Sequence, residues 1–204
     1  CTRGSEGFDL ANVQEPANQW IVAEYNDAID RVTTAIRNYR FNEAADALYS
    51  FVWHAYCDWY VELIKPQLDG DAEETRATAA EILRGAMRLL HPFMPYLTEE
   101  LNEKIFGSAD MMISQSWPSD VERPETEAPD EIRYLINLIS EIRYIRSEMN
   151  VPLSAKPVLQ LRGTSDLQNR AIETNRAALL RLARLDSFEL VENFGKGTAR
   201  GTVD

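Results

Sequence analysis

From Ala17 to about Tyr39 the apolar residues Trp20, Ile21, Tyr25, Ala28, Ile29, Val32, Ala35 and Ile36 recur every three or four positions, the period of one face of an α-helix. A helix patterned in this way has to bury its stripe against neighbours, and the next runs supply them. The second starts at Asn42, read as the helix cap, with Glu43 and Asp46 in the first turns. It puts Leu48, Val52, Ala55, Trp59 and Leu63 on one stripe before Pro66. A third begins near Asp71, carries Ala79, Ile82, Leu83, Ala86 and Leu90 inward, and ends against Pro92 and Pro95, which block helical hydrogen bonding. Thr98 to Phe106 gives a short fourth helix closed by Gly107, a residue tolerant of the left-handed backbone. Four helices with short joins predict an antiparallel bundle over residues 17–113, after a lead-in over 1–16 marked by Gly4, Gly7 and Pro16.

Pro118, Pro124 and Pro129 lie among charges in 114–129, a composition that predicts an extended, solvated linker and a domain boundary. A fifth helix over 130–150, with Ile132, Leu135, Ile136, Ile139, Ile142 and Ile145 apolar, is expected to pack back on the bundle. Residues 151–204 change character: Pro157 to Leu161 is β-prone, Asp166 to Ala183 helical and Ser187 to Val191 strand-like, with a return strand expected over 196–203. The expected fold class is therefore mainly α, an antiparallel helical bundle followed by a small α+β subdomain that stops without an obvious finish and reads as truncated.

Composition limits the function. With 45% hydrophobic content, 204 residues can bury a real core. A net charge of -12, from 33 acidic against 21 basic residues, argues against a broad positive surface for nucleic acid, although the acidic residues cluster in 69–81 and 119–131. Any contact with phosphates has to rest on local charge. No membrane-length apolar run and no signal pattern occur, so a cytoplasmic protein is expected. Cys1 and Cys57 are expected to be reduced. No phosphate loop, dinucleotide fingerprint or zinc spacing is present, so no catalytic, cofactor or metal site is expected, and His54 and His91 read as packing or surface residues.

Two places could carry a ligand. The run Phe51-Val52-Trp53-His54-Ala55-Tyr56-Cys57-Asp58-Trp59-Tyr60-Val61 is aromatic around much of one helix, and most of its rings read as core. Trp53 and Tyr60, seven apart and offset from the Leu48 and Trp59 stripe, could instead be exposed for base stacking. Asp58, Glu62 and Lys65 share a face on which Glu62 and Lys65 form a weak pair, and Asp58 could tie to Arg37 or Arg40. Arg143 and Arg146, with Arg133 and Lys156 nearby, form a basic strip that could hold phosphates.

Several segments read together as a family. They are Arg40-Phe41-Asn42-Glu43-Ala44-Ala45, Leu48-Tyr49-Ser50-Phe51-Val52-Trp53 and Cys57-Asp58-Trp59-Tyr60-Val61-Glu62-Leu63. They continue with Leu89-Leu90-His91-Pro92-Phe93-Met94-Pro95-Tyr96-Leu97-Thr98-Glu99-Glu100-Leu101 and Ile142-Arg143-Tyr144-Ile145-Arg146-Ser147-Glu148-Met149-Asn150-Val151-Pro152. In this order the chain, from about Asn18 to Val203, resembles the anticodon-binding domain of valyl-tRNA synthetases, class I enzymes. It departs from the family at Asn102, where a tryptophan is usual, and at Glu24 and Asp27, near which many members carry an arginine.

The resemblance implies an enzyme that joins valine to its tRNA with ATP, whose catalytic domain lies upstream and coiled-coil arm downstream. This non-catalytic part would hold the anticodon arm of tRNA(Val) and no cofactor. It implies Arg37, Asn38, Arg40, Asn42 and Trp53 near bases, and Arg143, Arg146 and Lys156 near phosphates. An alternative reading makes the chain a scaffold that positions the coiled-coil arm with little RNA affinity of its own. An independent helical protein-interaction domain is a third.

Overall fold

The structure, a computed structural model, describes residues 8–68, 70, 72–107, 110–122, 125–194 and 201–203. It is mainly α-helical and divides into two units, Cys1–Thr126 and Glu127–Asp204.

In the first unit α1, Pro16–Arg37, starts on a proline whose missing N–H costs nothing at a helix start. Its stripe of Trp20, Ile21, Tyr25, Ala28, Ile29, Val32 and Ala35 is buried. The second rod is continuous but changes pitch. It runs as α2, Phe41–Tyr49, then as a π-helical stretch, Ser50–Tyr60, then as α3, Val61–Ile64. The Val61 N–H bonds to the Tyr56 carbonyl, five residues back instead of the four of an α-helix. The inward positions of this stretch therefore fall at steps of five and four: Phe51 is buried, Tyr56 half-buried, and Tyr60 and Ile64 buried. The third rod is α4, Glu73–Leu90, and the fourth is α5, Pro95–Leu101, extended by a π turn, Asn102–Phe106, that ends on Gly107 at φ 61°. The rods pack around α1, which touches α2, the π stretch and α4.

Two polar devices fix this packing. Asn18, fully buried, accepts from the Tyr60 hydroxyl at 2.8 Å and donates to Glu74 at 2.8 Å and Thr75 at 3.3 Å, so one side chain joins α1, the π stretch and α4. At the turn into α5, His91 Nδ1 lies 2.8 Å from the buried Thr98 hydroxyl. Asn102 is buried and donates to the Asp110 carbonyl at 3.0 Å, and Glu99 accepts from the N–H groups of Met112 and Ile113, so both hold the following loop.

The proline-rich stretch expected to be an extended, solvated linker is mostly exposed, and hydrogen bonds tie it along α1. Trp117 donates to Thr33 at 2.9 Å, Val121 and Asn26 exchange bonds of 3.0 and 2.9 Å, and Thr126 donates to Gln19 at 2.9 Å. An extended backbone leaves its own polar groups unpaired, and the polar face of α1 satisfies some of them. That face offers Thr33, Asn26 and Gln19 at successive two-turn spacings.

In the second unit α6, Ala128–Glu148, buries Ile132, Leu135, Ile139 and Ile142 and packs against α7, Asp166–Thr174, and α8, Arg176–Ala183. This helix falls in the same unit as the residues that follow it. The strands β1, Val158–Leu161, and β2, Ser187–Leu190, pair in parallel, with α7 and α8 between them in the chain. The single helix expected over 166–183 breaks at Asn175, whose side chain donates to the Ala171 carbonyl. Of the expected return strand over 196–203, residues 196–200 lie outside the described residues and 201–203 are not a strand.

Candidate functional site

Helix α1 ends in a tight turn. The Arg40 N–H bonds to the Ala35 carbonyl and the Tyr39 N–H to the Ile36 carbonyl, with Tyr39 at φ 58°, the Schellman arrangement. The same residues open α2, so the expected cap at Asn42 moves: Arg40 stands at the N-cap position without a side-chain cap, and Asn42 lies in the first turn, facing solvent. Arg37, Asn38, Arg40 and Asn42 are thereby gathered, all exposed, around one corner of the bundle. A cleft of about 480 Å³ opens there, lined by Asp30, Arg31, Thr34, Asn38, Arg40 and Glu43 among others. Its charges are mixed, and Arg40 pairs with Glu43 at 3.3 Å.

Trp53 is 51% exposed and lies parallel to Tyr49, also exposed, with centroids 6.3 Å apart and 9° between planes. Tyr39, 83% exposed, meets the exposed Phe41 edge-on at 6.4 Å. Phe41 and Tyr49 are the first and last residues of α2, so the two aromatic pairs stand about 12 Å apart along it. Asn42, Tyr49 and Trp53 are separated by seven and four residues, which puts them on one face of the rod. Four large exposed rings on one short stretch of chain make this corner a candidate binding surface. Tyr39, Phe41 and Tyr49 were missed in the sequence. The signal was present for Tyr49, one residue past the buried Leu48 and so turned away from the core.

The expected partner of Trp53 is not part of this surface: Tyr60 is buried, bonded to Asn18, and its hydroxyl is pushed well above the ordinary tyrosine range by burial and then by Tyr56. A seven-residue spacing returns to the same face only in an α-helix, and the π turns shift it. Asp58 is not tied to Arg37 or Arg40; its oxygen lies 3.3 Å from His54 Nδ1, and His54 stands edge-on to Tyr49 at 5.5 Å. Glu62 and Lys65 pair at 3.3 Å as the spacing suggested. Cys57 carries a free, exposed thiol, and Cys1 lies outside the described residues.

Arg143, Arg146 and Lys156 belong to the second unit. Of the expected basic strip, Arg133 and Arg143 are exposed and Arg146 is taken into the fold. Arg146 is buried, and its guanidinium donates to the carbonyls of Arg184 at 3.1 Å, Pro152 at 3.2 Å and Ala155 at 3.0 Å. Arg143 Nε donates to the Leu182 carbonyl at 3.1 Å. The carbonyls of Leu182 and Arg184 belong to the end of α8, where cationic side chains satisfy groups the helix leaves unpaired, and those of Pro152 and Ala155 to the turn after α6. Lys156 is exposed. Among the described residues no three His, Cys, Asp or Glu side chains are grouped to hold a metal ion, and no helix is long and apolar enough to cross a membrane.

Comparison with known proteins gives this corner a context. Residues 18–162 match the family model described as the anticodon-binding domain of tRNA ligase. The chain is 46% identical over 208 residues to a valine–tRNA ligase of Caulobacter vibrioides, with 98% of the chain and 23% of that relative covered. It is 41% identical over 207 residues to that of Rhizobium meliloti, covering 98% of the chain and 22% of the relative. With that of Granulibacter bethesdensis the identity is 42% over 207 residues, covering 97% and 23%. The chain thus spans less than a quarter of the length of these curated relatives.

Proposed function

Because this chain belongs to the family of anticodon-binding domains of tRNA ligases, we propose that it holds the anticodon arm of a valine tRNA through the corner between α1 and α2. The observation that carries the proposal is the gathering of Tyr39, Phe41, Tyr49 and Trp53, all exposed, beside Arg37, Asn38, Arg40 and Asn42. Anticodon bases are unpaired, so they can be splayed, stacked on aromatic or guanidinium planes and hydrogen-bonded along their edges. The asparagine amides offer both donor and acceptor, and Arg37 and Arg40 offer planar donors. Mixed charge in the cleft suits base edges better than a run of phosphates does. That is how a chain of net charge -12 can bind RNA through one local surface.

The relatives' name supplies the rest of the reading. The chain serves an enzyme that joins valine to tRNA with ATP, and it contributes binding energy and orientation to a reaction carried out in the catalytic domain of the same polypeptide. ATP is handled there, and this part needs no cofactor. A downstream coiled-coil arm completes the grip on tRNA.

Fluorescence anisotropy with a hairpin RNA carrying the valine anticodon loop tests the site. Replacing Arg37 and Arg40 together by alanine is expected to weaken binding by about a hundredfold or more, since charge-assisted hydrogen bonds are worth roughly 1.5–3 kcal/mol each. Arg143→Ala is expected to leave binding unchanged. The opposite ranking would move the site to the second unit.

A further inference from the structure

Three helices of this chain stop in the same way. Just past the ends of α1, α6 and α8 one residue takes a positive φ, at Tyr39 (58°), Asn150 (50°) and Arg184 (55°). In each case the next N–H reaches back five residues: Arg40 to Ala35, Val151 to Arg146, and Leu185 to Leu180. Glycine is the usual occupant of this position because a Cβ there crowds the backbone, and asparagine tolerates it. Asn150 therefore follows the rule. Arg184 breaks it, but its carbonyl is held by the buried Arg146 guanidinium, so the local fold fixes it.

Tyr39 breaks the rule with no such compensation in the core. The residue is 83% exposed, and its ring meets another exposed ring, that of Phe41, edge-on. A bulky residue in the left-handed region is a rare choice, and backbone strain of this kind concentrates at functional sites. Its chain neighbours Asn38 and Arg40 both line the cleft. We propose that Tyr39 is a base-stacking contact for the anticodon loop, kept in an unfavourable backbone conformation because its ring is needed there. The inference rests on the function proposed above and adds to it one specific affinity-determining residue. Tyr39 with Phe41 forms one stacking platform and Tyr49 with Trp53 a second, at opposite ends of α2. The spacing suits two bases held apart from each other.

The test uses the chain itself with Tyr39→Gly and Tyr39→Phe, each melted and each titrated with the valine-anticodon hairpin RNA. Tyr39→Gly is expected to raise the melting temperature, because glycine relieves the positive φ, and to weaken RNA binding by about tenfold, the loss of one stacked base. Tyr39→Phe is expected to keep the affinity, since the ring and not the hydroxyl makes the contact. Unchanged affinity in Tyr39→Gly overturns the contact, and so does a lost affinity accompanied by a lower melting temperature, which would make Tyr39 structural. Failure of the unaltered chain to bind the hairpin overturns the proposed function and this contact with it. Binding by the unaltered chain with no effect of Tyr39→Gly overturns the contact alone.

Discussion

The Tyr60 hydroxyl donates a 2.8 Å hydrogen bond to Asn18 Oδ1, and both residues are fully buried. Tyr60→Phe keeps the ring and removes the donor, leaving the Asn18 oxygen without that partner in the interior. A loss of about 1–3 kcal/mol is expected by denaturant unfolding. Equal stability of the two proteins would mean that the bond contributes nothing net.

Gly85 lies in the middle of α4, where alanine is normally the better helix former by about 1 kcal/mol. Here the sign reverses, because a Cβ at this position would overlap the Tyr25 hydroxyl and ring. Gly85→Ala is expected to destabilise by about 1–3 kcal/mol, the usual cost of overpacking. A stabilised variant would show that Tyr25 moves aside freely.

Arg146→Met should preserve much of the side-chain volume while removing the guanidinium bonds to the carbonyls of Arg184, Pro152 and Ala155. The second unit is expected to lose about 1–3 kcal/mol in thermal unfolding, and RNA affinity to stay as it was. Intact stability with weakened RNA binding would restore Arg146 to the phosphate contacts that the sequence alone suggested.

Burial pushes the hydroxyls of Tyr25 and Tyr56 up from 10.0 to about 12. The fold thus favours the neutral form, and the Tyr56 hydroxyl donates to the Ala79 carbonyl at 2.9 Å. Because the folded pKa lies above the unfolded one, this stability is fully present below pH 10 and is lost as the pH rises towards 12. Unfolding midpoints measured across that window should fall, and Tyr25→Phe should flatten the decline. A flat profile for the unaltered protein would contradict these shifts.

The helical frame was readable because it depends on period alone. The stripe from Trp20 to Ala35 gave α1 to within a few residues, and Pro92 and Pro95 marked the turn between α4 and α5. Two features broke rules that period assumes. The π stretch changed the residues per turn, so Trp53 and Tyr60 parted company, one to solvent and one to the core. The strap over 114–122 and 125–126 has a linker's composition, and polar residues of α1 far away in sequence tie it to the bundle.

The candidate site was half legible. Arg37, Asn38, Arg40, Asn42 and Trp53 were named from the sequence, and all five are exposed. Tyr39 and Phe41 were not, because hydrophobic residues at a helix junction look like core until the turn geometry turns them outward. Arg146 misled in the other direction: a cation three residues from another looks like a phosphate site, and nothing local reveals that it faces backbone carbonyls from α8 and the 152–155 turn.

Titration of this chain with two hairpin RNAs that differ only in their anticodons, one of them that of valine, tests the central claim most directly. The valine hairpin should bind more tightly by about tenfold or more, since base-edge hydrogen bonds discriminate by roughly 1–3 kcal/mol each. Equal affinity for the two hairpins would contradict base reading by the corner between α1 and α2.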